Sequence, residues 1–192
     1  MLKGTHSKKR LVLFIAFGWA LLILSNQVGD LKLYQGSFVA TYALAITSII
    51  LLTGYSGQLS LGHSALMAVG AYAGALSIFN AGLNPIVSLI IAVLAAGIFG
   101  LILGVIAARL SGPYLAGTTL ALAVSLPTLA NQFSILGAEE GIVFDVGPAP
   151  ARFGEDFSQY KWFFWISSLA ALIMVWFIAN LLSSRYGRTF KA

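Results

Sequence analysis

The sequence predicts an all-α polytopic membrane protein of about six transmembrane helices, with a glycine-broken segment between the second and third. Three observations predict it. The 192 residues are 59% hydrophobic and only 9% charged, whereas a soluble domain carries about 25% charged residues. The apolar residues fall into long runs separated by polar ones, and the mean hydropathy is +0.91. The charges sit outside those runs. No aqueous core of this length could bury so much apolar surface, so the bilayer is the expected solvent.

Six apolar runs can be read: about residues 11–26, 37–52, 64–81, 85–108, 113–133 and 162–182. Each approaches the roughly 20 residues needed to cross about 30 Å of hydrocarbon. With six crossings and a cytoplasmic N-terminus, one side receives Lys3, Lys8, Lys9, Arg10, Arg109, Arg185, Arg188 and Lys191, and no carboxylate. The other receives Lys32, Arg152 and Lys161 together with Asp30, Glu139, Glu140, Asp145, Glu155 and Asp156. Positive charge accumulates on the cytoplasmic side of membrane proteins, so both termini are expected there, in a plasma (inner) membrane. The chain then forms one transmembrane domain over residues 1–192, and residues 134–161 form an extracytoplasmic loop within it. The net charge of +5 is placed at membrane edges, so it does not imply a nucleic-acid partner. Lys8-Lys9-Arg10 before an apolar run also fits a secretory signal peptide, but Asn26-Gln27-Val28-Gly29-Asp30 is a poor small-residue cleavage site. Tyr160, Trp162, Phe163, Phe164 and Trp165 open the sixth run as an interfacial aromatic belt.

Cysteine is absent, which excludes disulfides and thiolate metal sites. His6 and His63 are the only histidines and have no carboxylate near them, so no metal site is expected. No Asp, Glu, Lys or Arg lies inside any apolar run. Proton-coupled carriers need such groups for their relay, so the energy for any transport would come from another subunit.

The segment Thr53 to Tyr72 concentrates the unusual residues. Gly54, Gly57, Gly62 and Gly70 are interleaved with Gln58, Ser60 and His63. Irregular backbone is tolerated at membrane depth only where protein buries it or where it lines a polar cavity. His63 either serves a path or sits neutral at the interface, bonded to a nearby carbonyl. Gly70 with Gly74, and Gly100 with Gly104, are small residues one turn apart that allow close helix approach. On the fifth run, Thr118, Ser125 and Gln132 recur every seven residues, beside Thr119. That stripe either lines a permeation path or bonds a neighbouring helix.

Gly54-Tyr55-Ser56-Gly57 resembles the Gly-x-Ser-Gly of rhomboid intramembrane proteases. A nucleophilic serine needs a base within hydrogen-bond reach. His63 lies seven residues on, about 10 Å along a helix, and no histidine follows it. An enzyme is therefore not expected.

Gly57-Gln58-Leu59-Ser60-Leu61-Gly62-His63-Ser64-Ala65 resembles the signature of branched-chain amino acid ABC transporter permeases. Gly112-Pro113-Tyr114-Leu115-Ala116 with Thr119-Leu120-Ala121 resembles a second block of that family. Gly137-Ala-Glu-Glu-Gly141-Ile142 resembles its glycine-rich outer segment more loosely. Permeases for urea and short amides are similar in the same blocks. The resemblance implies a membrane subunit that works with a second permease subunit, two cytoplasmic ATPase subunits that hydrolyse ATP, and an extracytoplasmic binding protein that delivers leucine, isoleucine or valine. It implies no cofactor in this chain. Gly57, Gln58, Ser60, Gly62, His63, Thr118 and Thr119 are then the expected path or hinge residues. Arg185, Gly187 and Arg188 are expected on the ATPase-coupling side. Tyr186-Gly-Arg-Thr-Phe-Lys-Ala192 looks like the lead-in to the coupling loop, so a C-terminally truncated permease is expected, or else a non-transporting scaffold fragment.

Overall fold

The computed structural model describes residues 3–110, 112–142, 147, 149–150, 153–154, 157–184 and 187. All regular structure among them is helical: α1 (Lys3–Leu24), α2 (Asp30–Ile49), α3 (His63–Ala81), α4 (Pro85–Ala107), α5 (Pro113–Ala130) and α6 (Gln159–Ser183). α2 runs on without interruption into a π-helical stretch, Ile50–Tyr55. Among the described residues, five helices are long and apolar enough to cross a membrane, and α1 adds a shorter apolar stretch, Leu11–Leu24. The chain is a multi-pass membrane protein.

The helices divide into two compact units, one of residues 1–51 and 148–192 and the other of residues 52–147. In the first, α2 packs along α6, and α1 lies against α6. Gly36 makes the α2–α6 approach possible. A Cβ there would stand 2.7 Å from Phe164 Cε2, and Phe164 is itself buried. Gly36→Ala should therefore tilt that ring and cost about 1–2 kcal/mol, the usual scale of overpacking. Thermal unfolding in detergent measures it. Shrinking the ring with Phe164→Leu should recover part of the loss, because contacting residues are not additive.

One end of this unit is tied by polar and aromatic contacts. Trp165 Nε1 donates to Ser25 Oγ at 2.9 Å, and that hydroxyl donates to the Leu22 carbonyl at 2.7 Å. Ser158 Oγ donates to Asp30 at 2.7 Å. Lys161 Nζ donates to Asn26 Oδ1 and stands 5.4 Å from the Phe157 ring centre. Tyr34 and Tyr160 meet edge to face. Such amphipathic rings settle at headgroup level. The same contacts explain why α2 begins at Asp30, seven residues before the apolar run. Asp30 complements the helix N-terminus, and the polar first turns lie within the anchored end.

In the second unit α3 packs on α4 and touches α5. Gly70 and Gly74 supply the close approach the small-residue pattern predicts. A Cβ on Gly74 would lie 3.4 Å from Ala92 Cβ, and one on Gly70 3.5 Å from Ala96 Cβ. Ser77 Oγ, buried Ser88 Oγ and the Gly74 carbonyl oxygen sit 2.7 Å from one another. Two hydroxyl protons thus satisfy a three-way cluster between the helices. A Cβ on Gly100 would lie 3.4 Å from Leu66 Cδ2, whereas one on Gly104 would meet nothing within 4 Å among the described residues. The second pair is only half used. α4 starts with Pro85 behind Asn84, whose side chain accepts from Ile86 N–H at 2.9 Å, and proline suits that first position. Its outer face remains bare: Val93, Leu94, Ile98 and Leu101 are all exposed, Leu101 to 71%. Apolar contact that wide suits lipid or another membrane helix.

Candidate functional site

The break between α2 and α3 is built from glycine conformations. The π-helical stretch ends at Tyr55, and single-turn π segments recur at functional sites. Gly57 then turns left-handed at φ +63, and the next amide, Gln58 N–H, reaches back to the Leu52 carbonyl at 3.2 Å. A left-handed glycine with a backward bond of this kind closes a helix C-terminus. Residues 57–61 adopt no regular structure. Gly62 restarts the helix, its carbonyl accepting from Ala65 N–H at 3.1 Å and Leu66 N–H at 3.3 Å. Among the described residues, no side chain caps the α3 N-terminus.

The broken segment is latched to α5. Leu61 N–H donates to Thr119 Oγ1 at 3.0 Å, while that hydroxyl donates into its own helix at Leu115 O, 2.8 Å away. Gly62 is buried against the same residue, and a Cβ there would stand 3.3 Å from Thr119 Cβ. The two glycines thus have different duties: Gly57 provides the turn and Gly62 the close approach. α5 is positioned for this by Gly112, left-handed at φ +57, and by Pro113 in its first turn.

Among the residues expected at the site, the structure brings Gly62 and Thr119 together, with Ser60 adjacent. Ser60 Oγ lies 3.5 Å from Gly62 N. Gln58 is exposed. His63 is half-buried, and its Nδ1 is buried with no hydrogen-bond partner among the described residues. The His63 ring also has a hydrogen bond to the Ser60 backbone. Thr118 points its hydroxyl back to Tyr114 O at 2.8 Å, and Ser125 does the same to Ala121 O. Two members of the seven-residue stripe are thus satisfied inside α5, as helical Ser and Thr often are. Gly187 is buried and its N–H donates to Ser184 Oγ at 3.4 Å. Arg185 and Arg188 lie outside the described residues. Sequence reasoning missed the Leu61 amide, because a leucine side chain carries no chemical signal for a role played by its backbone.

Residues 33–192 match the family described as branched-chain amino acid transport system / permease component. The high-affinity branched-chain amino acid transport system permease protein LivM of Escherichia coli (strain K12) is 32% identical over 161 residues, covering 81% of this chain and 36% of that protein. Its counterpart in Salmonella typhimurium is 31% identical over the same extent. The chain thus spans little more than a third of the curated relatives it matches. No solved structure matches it. With the signature block lying across the broken segment and the second block across its latch on α5, the chain belongs to the branched-chain amino acid transport permease family.

Proposed function

We propose that this chain is a membrane-spanning permease subunit of an ATP-driven (ABC) importer for leucine, isoleucine and valine, and that solute passes beside the Gly57–Gly62 break. The carrying observation is the break itself, tied to α5 by the Leu61–Thr119 bond. An amino acid is a zwitterion with an apolar side chain. Its carboxylate suits the uncapped N-terminus of α3, where helix N–H groups and dipole favour negative charge. Its ammonium suits the carbonyls at the C-terminal end of the π-helical stretch. Discontinuous membrane helices bind charged solutes in this way. The absence of Asp, Glu, Lys and Arg from the apolar runs supports energy supplied from outside the chain.

The partners in this reading are a second permease subunit, two cytoplasmic ATPase subunits and an extracytoplasmic binding protein. The charge segregation supports cytoplasmic N- and C-termini, with residues 134–161 facing the binding protein. Arg185, Gly187 and Arg188 then lie on the ATPase side.

The test is purification of the tagged chain from native membranes, followed by leucine uptake in vesicles made from them. An ATPase subunit should co-purify, and leucine uptake should require ATP and resist competition by urea. Urea competition would redirect the reading to the amide-permeating branch. Co-purification without uptake would favour a scaffold. Gln58→Ala and His63→Ala should each lower uptake severalfold with membrane insertion intact; unchanged uptake removes the substituted residue from the path.

A further inference from the structure

α1 stands partly away from α2 and α6, leaving an apolar groove of about 730 Å³ within that unit. Phe14 and Leu21 form one wall, Leu33 and Ala40 another, and Phe164 and Leu172 the third. The lining runs from Leu13 to Leu24 on α1, from Lys32 to Ala43 on α2 and from Phe164 to Val175 on α6. Each stretch advances eleven positions, which is about 16 Å at 1.5 Å per residue. The hydrocarbon core is about 30 Å thick, so the groove is one leaflet deep.

Its mouth is chemically distinct from its floor. Lys32 is the one charged side chain lining it among the described residues. Lys32 lies in the first turn of α2, at the end where Trp165 bonds Ser25 and Lys161 bonds Asn26. That aromatic and polar collar marks headgroup level. The neighbouring charges are engaged there: Asp30 accepts from Ser158, and Lys161 is held by Asn26 and the Phe157 and Trp165 rings.

A transmembrane helix is a poor fit to this space. It needs the whole bilayer thickness, whereas the groove lining spans one leaflet. A single extended hydrocarbon chain has the matching depth. We propose that the groove is a phospholipid site, with one acyl chain between α1, α2 and α6 and the lipid phosphate at Lys32 Nζ. The lipid fills the gap beside α1 and couples that helix to the α2–α6 pair.

The chain reconstituted in bilayers of phosphatidylethanolamine and phosphatidylglycerol tests this, with a trace of phosphatidylglycerol carrying a diazirine on its acyl chain. After illumination, labelled peptides are mapped by mass spectrometry. Labelling of the groove residues should exceed that of Val93 and Leu101 on the bare α4 face, which reports ordinary bulk lipid. Lys32→Glu should reduce groove labelling at least about fivefold, the effect of roughly one juxtamembrane lysine. Ala40→Trp, which fills the floor, should abolish it. Labelling of α4 should be unchanged in both variants and so certifies insertion. Groove labelling no greater than that of α4, or unmoved by both substitutions, overturns the proposal. Protection of the groove from label would instead identify a protein segment as its occupant. None of these readouts depends on transport, so they stand or fall apart from the importer reading.

Discussion

Replacing Thr119 with valine should free the broken segment from α5 while preserving the side chain's shape. Valine keeps both branches at Cβ, so the close contact with Gly62 survives. What disappears is the acceptor for Leu61 N–H and the hydroxyl that anchors back to Leu115. A hydrogen bond of this kind contributes about 1 kcal/mol net in proteins, and interhelical ones in membranes are of the same order. That corresponds to roughly a fivefold rise in the unlatched population at 25 °C. Hydrogen exchange at the Leu61 amide should accelerate by about that factor, with α3 and α4 amides unaffected. Thr119→Ser, which retains the hydroxyl, should restore slow exchange. If the segment shapes a solute path, uptake should fall with Thr119→Val and recover with Thr119→Ser. Unchanged exchange in the valine variant would show that Gly62 packing alone holds the segment.

How far these features could be read in advance follows from their physics. Apolar runs are legible because the bilayer imposes length and hydropathy on each crossing. All six runs correspond to helices, with α5 continuing through Pro127. The ends were less legible. α2 starts at Asp30 and α6 at Gln159 because the polar first turns at Asp30 and Lys161 are held by a collar of long-range contacts. Composition cannot reveal partners 128 or 135 residues apart. The break at Gly57 and Gly62 was legible because glycine and glutamine are costly in lipid-facing helix. Its latch partner was not, since Leu61 contributes only an amide to an oxygen 58 residues away. The seven-residue stripe on α5 marks the opposite limit. Periodicity located Thr118 and Ser125 on one face, but their protons were already committed to carbonyls one turn back.

The turn at Gly137 should be the least forgiving position in the second unit. It joins two single 3-10 turns, Ser134–Leu136 and Ala138–Glu140. Gly137 is left-handed at φ +85, and its carbonyl accepts from both Glu140 N–H at 3.1 Å and Gly141 N–H at 3.0 Å. A Cβ would stand 2.2 Å from the Gly141 carbonyl carbon and oxygen. That neighbour is backbone and cannot rotate away as a side chain would. Gly137→Ala therefore adds about 1–2 kcal/mol of left-handed strain to a clash relieved only by opening the turn. Glu139 and Glu140 are exposed on it, so a glutamate-specific protease reports the opening directly. Cleavage after these residues should be slow in the parent chain and at least about tenfold faster in the variant, the factor that 1.4 kcal/mol represents. Ala138 gives the opposite sign. It is a non-glycine residue at positive φ, +47, and Ala138→Gly removes that strain, leaving cleavage as slow as before or slower. Equal cleavage in both variants would mean that the turn is not closed in the membrane. If it closes, the two carboxylates are held in a fixed geometry, and a partner that reads them should lose affinity for Gly137→Ala while binding Ala138→Gly as well as the parent.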